Sequence, residues 1–393
     1  MSNYSQLEDS KRWSLLDQFM EQYLKTDDRV SMYRSYEYLL KQVQPIDLFH
    51  VSMYHNDTNL SVDDIRENAG RFVNLFYHGL TAYQWNREIS SLMILLLEEN
   101  QKIKDRLELL KKALDPRLIA SKYEALIAFF ESMVELEKKF IKMQNILFPV
   151  LEVLVPSKTP FKVLWSIHDD LNHMRQNILK HLQSASLNWD VLKVEIGEYY
   201  YQLYALMQKE ELIIFPIASE KISIKQWSEM EVSAQSIGYA FLNINKQHSF
   251  VEQSFIKEGI IHTTSGDLTF EQFELIMGHL PISLTYVDEF DQVRYFNQTK
   301  HRHFPRTPQV IGRLVKDCHP EKSVHIVEKI IREFKSGNRQ EAVFWINFKN
   351  AILLITYYPI KDSFGHYKGV LEVTQDITSI KKIQGEKRLL DWE

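Results

Sequence analysis

Two stretches near the middle of the chain each begin with a lysine and end in four apolar residues. The first runs from Lys142 to Pro149 and the second from Lys209 to Pro216, with lysine, isoleucine, phenylalanine and proline at matching places. Each follows a run of helix-forming residues, and proline lacks both the amide hydrogen and the space that a helix interior requires. We therefore expect each stretch to end a long helix, and the pair to close the two hairpins of a four-helix bundle.

Apolar periodicity and a shortage of glycine place this bundle within residues 101–245. The predicted helices cover residues 117–147, 161–183, 189–215 and 224–243. In an alternative arrangement the last helix lies outside the bundle, and the first bundle helix then begins upstream, between residues 89 and 114.

The residues before the bundle, 1–100, predict a helical adaptor domain. Ser61 and Asp64 form a capping box, in which the serine oxygen accepts from the amide three residues on, so a helix is expected to begin at Ser61. Apolar residues then recur at intervals of three and four and predict a buried stripe. They are Ile65, Ala69, Phe72, Val73 and Phe76.

Beyond residue 245 the pattern changes from helical to strand-like. Residues 246–267 predict a linker, because their last six residues are polar and rich in turn formers. Residues 268–378 predict an α+β domain with a five-stranded antiparallel sheet and one covering helix. The strands are expected within 283–296 and over 341–348, 351–360 and 369–374, and the helix over 323–337. Residues 379–393 predict a C-terminal helix or tail.

Composition excludes several classes of protein. With 393 residues, 45% of them apolar and 25% charged, the chain has the composition of a soluble globular protein. A net charge of −5 provides no basic field for nucleic acid. Cys318 is the only cysteine, so the chain has no internal disulfide and no cysteine-rich zinc site, which fits a cytoplasmic location. We find no signal peptide and no transmembrane run, while peripheral membrane association is left open.

Sequence motifs for catalysis are absent. The chain has no glycine-rich phosphate loop, no Gly-x-Ser-x-Gly elbow and no His-Glu-x-x-His pair. We therefore expect a protein that is not an enzyme.

Two regions resemble known families. The motifs Asn145–Pro149, Trp165–Asp170 and Glu210–Pro216 resemble the hemerythrin-like (HHE cation-binding) family. The order of elements in residues 268–378, with its closing Asp376-Ile-Thr, resembles a PAS sensor domain. A helical N-terminal domain, a hemerythrin-like bundle and a PAS domain together resemble a bacterial family of uncharacterised proteins with this layout.

The first resemblance implies a non-haem di-iron site, but the residues argue against one. The family pattern implies a ligand histidine where this chain has Lys139 and a ligand glutamate where it has Gln144. An ammonium repels a metal ion, and a neutral amide removes a charge that the metal needs. The His-Pro pair of the first ligand helix is replaced by Asp115-Pro116. His168 and Glu211 do match ligand positions, and His173 lies close, so these three are the metal candidates of a degenerate site.

The second resemblance implies a ligand between the sheet and its covering helix. Haem-binding PAS domains use a histidine on the long helix, yet helical periodicity places His325 opposite the apolar face, towards solvent. His319 is the alternative haem ligand. Cys318 lacks the surrounding motif of a flavin-adduct cysteine. Aromatic residues are expected to line the pocket, among them Tyr286, Trp345 and Tyr357.

These observations favour a non-enzymatic sensory or adaptor protein, in which the PAS domain senses a small ligand or redox state and the bundle serves as a scaffold. The cofactor is left open. Because only a short segment follows Thr378, we expect the signal to pass through a protein partner or self-association. Two alternatives stay open: an iron- or oxygen-binding hemerythrin-like protein, and a haem-binding protein that uses its PAS domain.

Overall fold

A computed structural model describes residues 9–26, 28–50, 73–113, 123–184, 187–244, 259–263, 265–300 and 302–386. The chain divides into two compact units, residues 1–245 and 246–393. The predicted capping box at Ser61, most of its apolar stripe, the Asp115-Pro116 pair and the last seven residues of the chain lie outside the described residues.

The described part of the first unit is helical. It begins with α1 (Asp9–Lys25), α2 (Arg29–Leu40), α3 (Asp47–His50), α4 (Tyr77–Ala82) and α5 (Ser91–Ala113). It continues with α6 (Tyr123–Ser132), α7 (Leu136–Lys142), α8 (Phe148–Leu151), α9 (Thr159–Leu182), α10 (Trp189–Lys209), α11 (Phe215–Lys221) and α12 (Ile224–Ile237).

The N-terminal helices and the bundle share one hydrophobic core. Buried residues of this core extend from Leu16 in α1 to Tyr239 after α12. The predicted boundary between adaptor and bundle, after residue 100, falls within α5. A buried ion pair ties α1 to α3, since Arg12 Nε lies 2.7 Å from Asp47 Oδ2. Helix α5 begins before the predicted boundary and continues into the region predicted as the bundle.

Caps define where the later helices begin and where the last of them ends. Asn188 accepts hydrogen bonds from the amides of Asp190 and Val191 at the start of α10. Ser223 and Gln226 form a capping box at the start of α12. That helix ends at Gly238, whose φ of +85° is a conformation that side chains disfavour.

The two Phe-Pro pairs do not end their helices, so this prediction is wrong. A π-helical segment, Met143–Leu147, joins α7 to α8, and a second, Glu210–Ile214, joins α10 to α11. In a π-helix the amide donates to the carbonyl five residues back, which widens the turn. Each proline falls at the second position of the helix that follows, where a helix needs no amide donor. The chain therefore stays helical through both prolines.

The second unit holds a hairpin and a larger sheet. Strands β1 (Ile260–Thr263) and β2 (Gly266–Thr269) pair antiparallel, so the stretch predicted as the end of a linker forms a hairpin. Helix α13 (Phe270–His279) follows. The larger sheet contains β3 (Ser283–Asp288), β4 (Val293–Phe296), β5 (Ala342–Phe348), β6 (Ala351–Lys361) and β7 (Tyr367–Asp376).

The larger sheet confirms the predicted fold of this domain. Its five strands are all antiparallel, in the order β4-β3-β7-β6-β5. Helix α14 (Glu321–Lys335) covers one face, where Val327, Ile331 and Phe334 pack with Val287 and Val370. This packing confirms the apolar face predicted for the helix.

Among the described helices, none combines the length and the apolar character needed to cross a bilayer.

Candidate functional site

The centre of the bundle is unusually rich in buried charge. Lys139 and Lys142 lie on α7, Glu99 on α5 and Glu210 in the second π-helical segment, and all four are buried. Glu210 is the first residue of the π-helical segment that follows α10, and it lies opposite Lys139 on α7. Buried charged groups are stable only when other charges or hydrogen bonds compensate them, so their partners decide what this centre can do.

Lys139 and Glu210 form an ion pair in the bundle interior. The ammonium nitrogen lies 3.0 Å from Glu210 Oε2, and the two side chains are 0% and 1% exposed. The ammonium also lies 5.5 Å from the centre of the Phe215 ring. Burial raises the pKa of Glu210, while the charge of Lys139 opposes that rise. The position expected to hold a metal-ligating histidine thus carries a positive charge with its own carboxylate.

A second buried pair joins Lys142 to Glu99. The Lys142 ammonium lies 2.8 Å from Glu99 Oε1 and donates to the carbonyl oxygen of Gly238 at 2.6 Å. The same Glu99 oxygen accepts from the amide of Ala240. Burial lowers the pKa of Lys142 to about 8, and Glu99 opposes this shift. The pair therefore fixes the end of α12 against α5 and α7.

His168 lies beside these pairs but is not arranged as a metal ligand. Its ring stacks on Phe140, with ring centres 4.2 Å apart, and Gln144 Nε2 lies 3.1 Å from its Nδ1. If the amide donates this bond, Nδ1 has no free lone pair and Nε2 carries the proton. Nε2 is buried without a hydrogen-bond partner among the described residues. Burial and the charge of Lys139 lower the pKa of His168 to about 3, so the ring is neutral at physiological pH.

The other two metal candidates lie elsewhere. His173 is on an exposed face of α9. Glu211 accepts hydrogen bonds from Lys104 through both carboxylate oxygens, each at 2.7 Å, and from Asn100 at 3.2 Å. The structure therefore does not gather His168, Glu211 and His173 into one site. The sequence comparison also missed Glu210, the carboxylate that does face the bundle centre.

The residues of the bundle centre do not fit a di-iron group. Such a group needs several imidazole and carboxylate lone pairs aimed at one point. Here the nearest carboxylate faces an ammonium, and the imidazole faces an amide. Within the described ranges, no set of three or more histidine, cysteine, aspartate or glutamate side chains is arranged to hold a metal ion.

In the second unit, polar residues lie on the covered face of the sheet. Thr285 pairs with Glu372, and Glu372 with Tyr357 on the next strand. Directly opposed residues share a face, and Val287 and Val370, one pair further along, lie in the core under α14. Glu372 and Tyr357 therefore face the covering segments, and burial raises the pKa of Tyr357.

The remaining residues predicted to line this pocket do not lie together on the covered face. Tyr286 and Trp345 lie on the opposite face, where Trp345 is 69% exposed, so they do not line the pocket. His319 is half-buried, and burial with the nearby charge of Arg306 lowers its pKa to about 4. His325 is exposed on α14, as predicted. Haem binding is therefore not supported by these positions.

A cavity of about 470 Å³ opens at the end of the covered face. Its volume lies within the range of small-molecule sites. It is lined by Pro281, Lys300, Arg302, His303, Asp376 and Ser379. Most of its charged lining residues are basic, which favours an anion.

Family comparisons match a different domain family to each of the two compact units. Residues 93–218 match the hemerythrin HHE cation binding domain, and residues 273–378 match the PAS domain. No curated protein matches the chain.

Several solved structures each resemble about a third of the chain or less. A C-terminal domain from Streptococcus mutans is 31% identical, covers 32% of this chain and 98% of its own, and has a TM-score of 0.30. A PAS domain from Colwellia psychrerythraea is 18% identical, with coverages of 28% and 97% and a TM-score of 0.22. A sensory box sensor histidine kinase from Vibrio cholerae is 15% identical, with coverages of 27% and 90% and a TM-score of 0.22. Because these TM-scores are below 0.5, the domain assignment rests on the family matches and the topology.

Proposed function

The chain joins a hemerythrin HHE cation binding domain to a PAS domain, and from this premise we propose a non-enzymatic signalling or adaptor protein. In this proposal the PAS domain binds a small carboxylate, and the hemerythrin-like bundle serves as a scaffold. The observation that carries the proposal is the basic cavity at the end of the PAS sheet.

Two basic residues supply positive charge to this cavity. Lys300 is exposed and makes no ion pair with the residues that the structure describes. Arg302 donates through Nη2 to the carbonyl oxygens of Leu284 and Asn297, at 2.9 and 3.0 Å, and this holds the guanidinium in place. Burial and the charge of Arg306 lower the pKa of Arg302 to about 10, so Arg302 stays charged at neutral pH.

The balance of charge favours an anion with a single negative charge. Lys300 and Arg302 contribute two positive charges. Asp376, whose Oδ2 lies 3.6 Å from His303 Nε2, contributes one negative charge. One positive charge is left over, which suits a monocarboxylate better than a phosphate dianion.

The cavity adjoins the segment through which the chain leaves the sheet. Asp376 Oδ1 accepts a hydrogen bond from the backbone amide of Thr378. The Thr378 hydroxyl in turn accepts a hydrogen bond from the backbone amide of Ile352. Ser379, the next residue, lines the cavity. A bound carboxylate would therefore alter contacts next to the segment that follows Asp376. In this proposal a protein partner, or a second copy of the chain, binds this segment differently when the ligand is present.

Calorimetric titration of the full-length protein tests the proposal by measuring its affinity for a panel of compounds. The panel contains short monocarboxylates and dicarboxylates, their neutral amides, and inorganic phosphate. We expect a monocarboxylate to bind and its amide not to bind. Lys300→Ala should weaken the affinity roughly threefold to tenfold, on the order of 1 kcal/mol.

The control is Lys329→Ala, which removes an exposed lysine on α14 outside the cavity. Equal affinity for the carboxylate and its amide, or tighter binding of phosphate, would contradict a carboxylate site. Binding that Lys300→Ala leaves unchanged would place the ligand elsewhere in the protein.

A further inference from the structure

Each of the three carboxylates around the bundle centre has its own lysine. Glu210 pairs with Lys139, Glu99 with Lys142 and Glu211 with Lys104, at nitrogen–oxygen distances of 3.0, 2.8 and 2.7 Å. The two inner pairs are buried, and the third is partly exposed. The cation beside each of these carboxylates is thus a side chain of the same chain.

Electrostatics explains why the innermost carboxylate needs a cation. Glu210 is fully buried, and an isolated carboxylate pays a large desolvation cost in such an environment. No arginine or histidine forms an ion pair with Glu210 in the part of the chain that the structure describes. The ammonium of Lys139 is its charged partner, and it reaches Glu210 from the neighbouring helix.

The remaining neighbours suit an ammonium better than a metal ion. Lys139 faces the ring of Phe215, which attracts a cation through its π-electrons but offers a metal no lone pair. His168, the nearest imidazole candidate, is turned towards Gln144 and packed on Phe140. The side chains that would complete a metal coordination shell are therefore occupied or apolar.

We propose that Lys139 is a tethered replacement for the metal ion of this bundle. Its ammonium neutralises Glu210 and links α7 to the π-helical segment after α10, so that the bundle folds without metal. The inference rests on the scaffold role in the proposed function and is independent of the ligand of the PAS domain.

Thermal unfolding and metal analysis of the full-length protein test this inference. The wild-type protein should contain far less than one iron or zinc per chain, and its Tm should be the same with a chelator or with added Fe²⁺ or Zn²⁺. Lys139→Met leaves Glu210 buried and unpaired and should lower the Tm by roughly 10 °C. The control Lys138→Met, which removes the partly exposed neighbouring lysine, should change it by about 2 °C or less.

A double variant keeps the test informative where Lys139→Met does not fold. Lys139→Met combined with Glu210→Leu removes both charges, and at least half of the lost Tm should return, because no unpaired charge is left in the interior. A double variant no more stable than the single one would contradict the inference.

The outcomes separate this inference from the proposed function. Near-stoichiometric metal in the wild-type protein, or a lower Tm with chelator, would overturn both the replacement and the scaffold role. A metal-free protein in which Lys139→Met is as stable as the wild type would overturn the replacement alone. A metal-free protein that needs Lys139 unless Glu210 is also removed would support both.

Discussion

Charged side chains have different partners in the two compact units. In the hemerythrin-like bundle, Glu99 and Glu210 are buried, and each contacts a lysine within 3.0 Å. In the PAS domain, Lys300 and Arg302 lie beside a cavity, and Lys300 has no acidic partner among the described residues. Charges that are neutralised internally hold helices together, whereas charges left beside a cavity are free to hold a ligand. This difference supports the proposed roles, which are structural support for the bundle and ligand binding for the PAS domain.

The largest expected effect on stability in this comparison is at Glu99. Glu99→Ala leaves the Lys142 ammonium buried without its carboxylate and removes the acceptor of the Ala240 amide. We expect a loss of about 3–5 kcal/mol in the free energy of unfolding. Denaturant titration of the full-length protein, followed by tryptophan fluorescence, measures this loss.

The adjacent Glu98 provides a matched control, because it is exposed on the same helix. Glu98→Ala should change the free energy of unfolding by less than about 0.5 kcal/mol. A loss below about 1 kcal/mol for Glu99→Ala would show that the buried pair does not support the bundle.

A smaller effect is expected from His168 as the pH falls. In the folded protein its pKa is lowered to about 3, whereas in the unfolded chain it has the ordinary value of about 6.5. Below pH 6.5 the unfolded state binds more protons, so stability falls by about 1.4 kcal/mol per pH unit until the folded pKa is reached. Compared with His168→Leu, the wild-type protein should lose about 2–3 kcal/mol between pH 6 and pH 4.

Urea titrations of the wild-type protein and His168→Leu across this pH range measure the difference in their free energies of unfolding. The other titratable groups are the same in both proteins, so their contributions cancel in this difference. His173→Leu is the control, because that ring is exposed on the same helix. Parallel pH profiles for the wild-type protein and His168→Leu would show that His168 is accessible to protons in the folded state.

The smallest effect is expected at the partly exposed pair. The side chain of Lys104 is 26% exposed and that of Glu211 is 17% exposed, so water already screens their attraction. Lys104→Ala should lower the free energy of unfolding by about 1 kcal/mol or less, as measured by the same titration. A cost as large as that of Glu99→Ala would remove the distinction between the inner and outer pairs.

The sequence predicted the PAS domain closely, because strands and amphipathic helices have regular periods. The apolar face of α14 and the outward position of His325 both follow from a period of 3.6 residues. The direction of Trp345 could not be predicted, since alternation separates the two faces of a strand but does not tell which face is covered. The basic cavity was also missed, because its lining comes from segments far apart in the sequence.

In the bundle, the sequence predicted the helices and showed Lys139 and Gln144 where the family pattern has metal ligands, but it selected Glu211 and not Glu210, the carboxylate that faces Lys139. Glu210 and Glu211 are neighbours, and matching motifs letter by letter favoured Glu211. The lysines held the missing signal: Lys139 and Lys142, three residues apart, lie on one helix face and require buried acids opposite them. Considering the lysines together with the acidic residues, and not the metal-ligand positions alone, would have indicated that lysines neutralise the buried carboxylates.

The two π-helical segments also have a consequence for how these helices tolerate insertion and deletion. A π-helical turn contains about one residue more than an α-helical turn, so each segment acts as a one-residue insertion absorbed within a continuous helix. Removing one residue from Glu210–Ile214 would therefore allow this segment to close into an α-helical turn, while the helix on either side keeps its orientation. Such a deletion would move the residues inside the turn, where Glu210 lies, and leave the packing of the flanking helix in place.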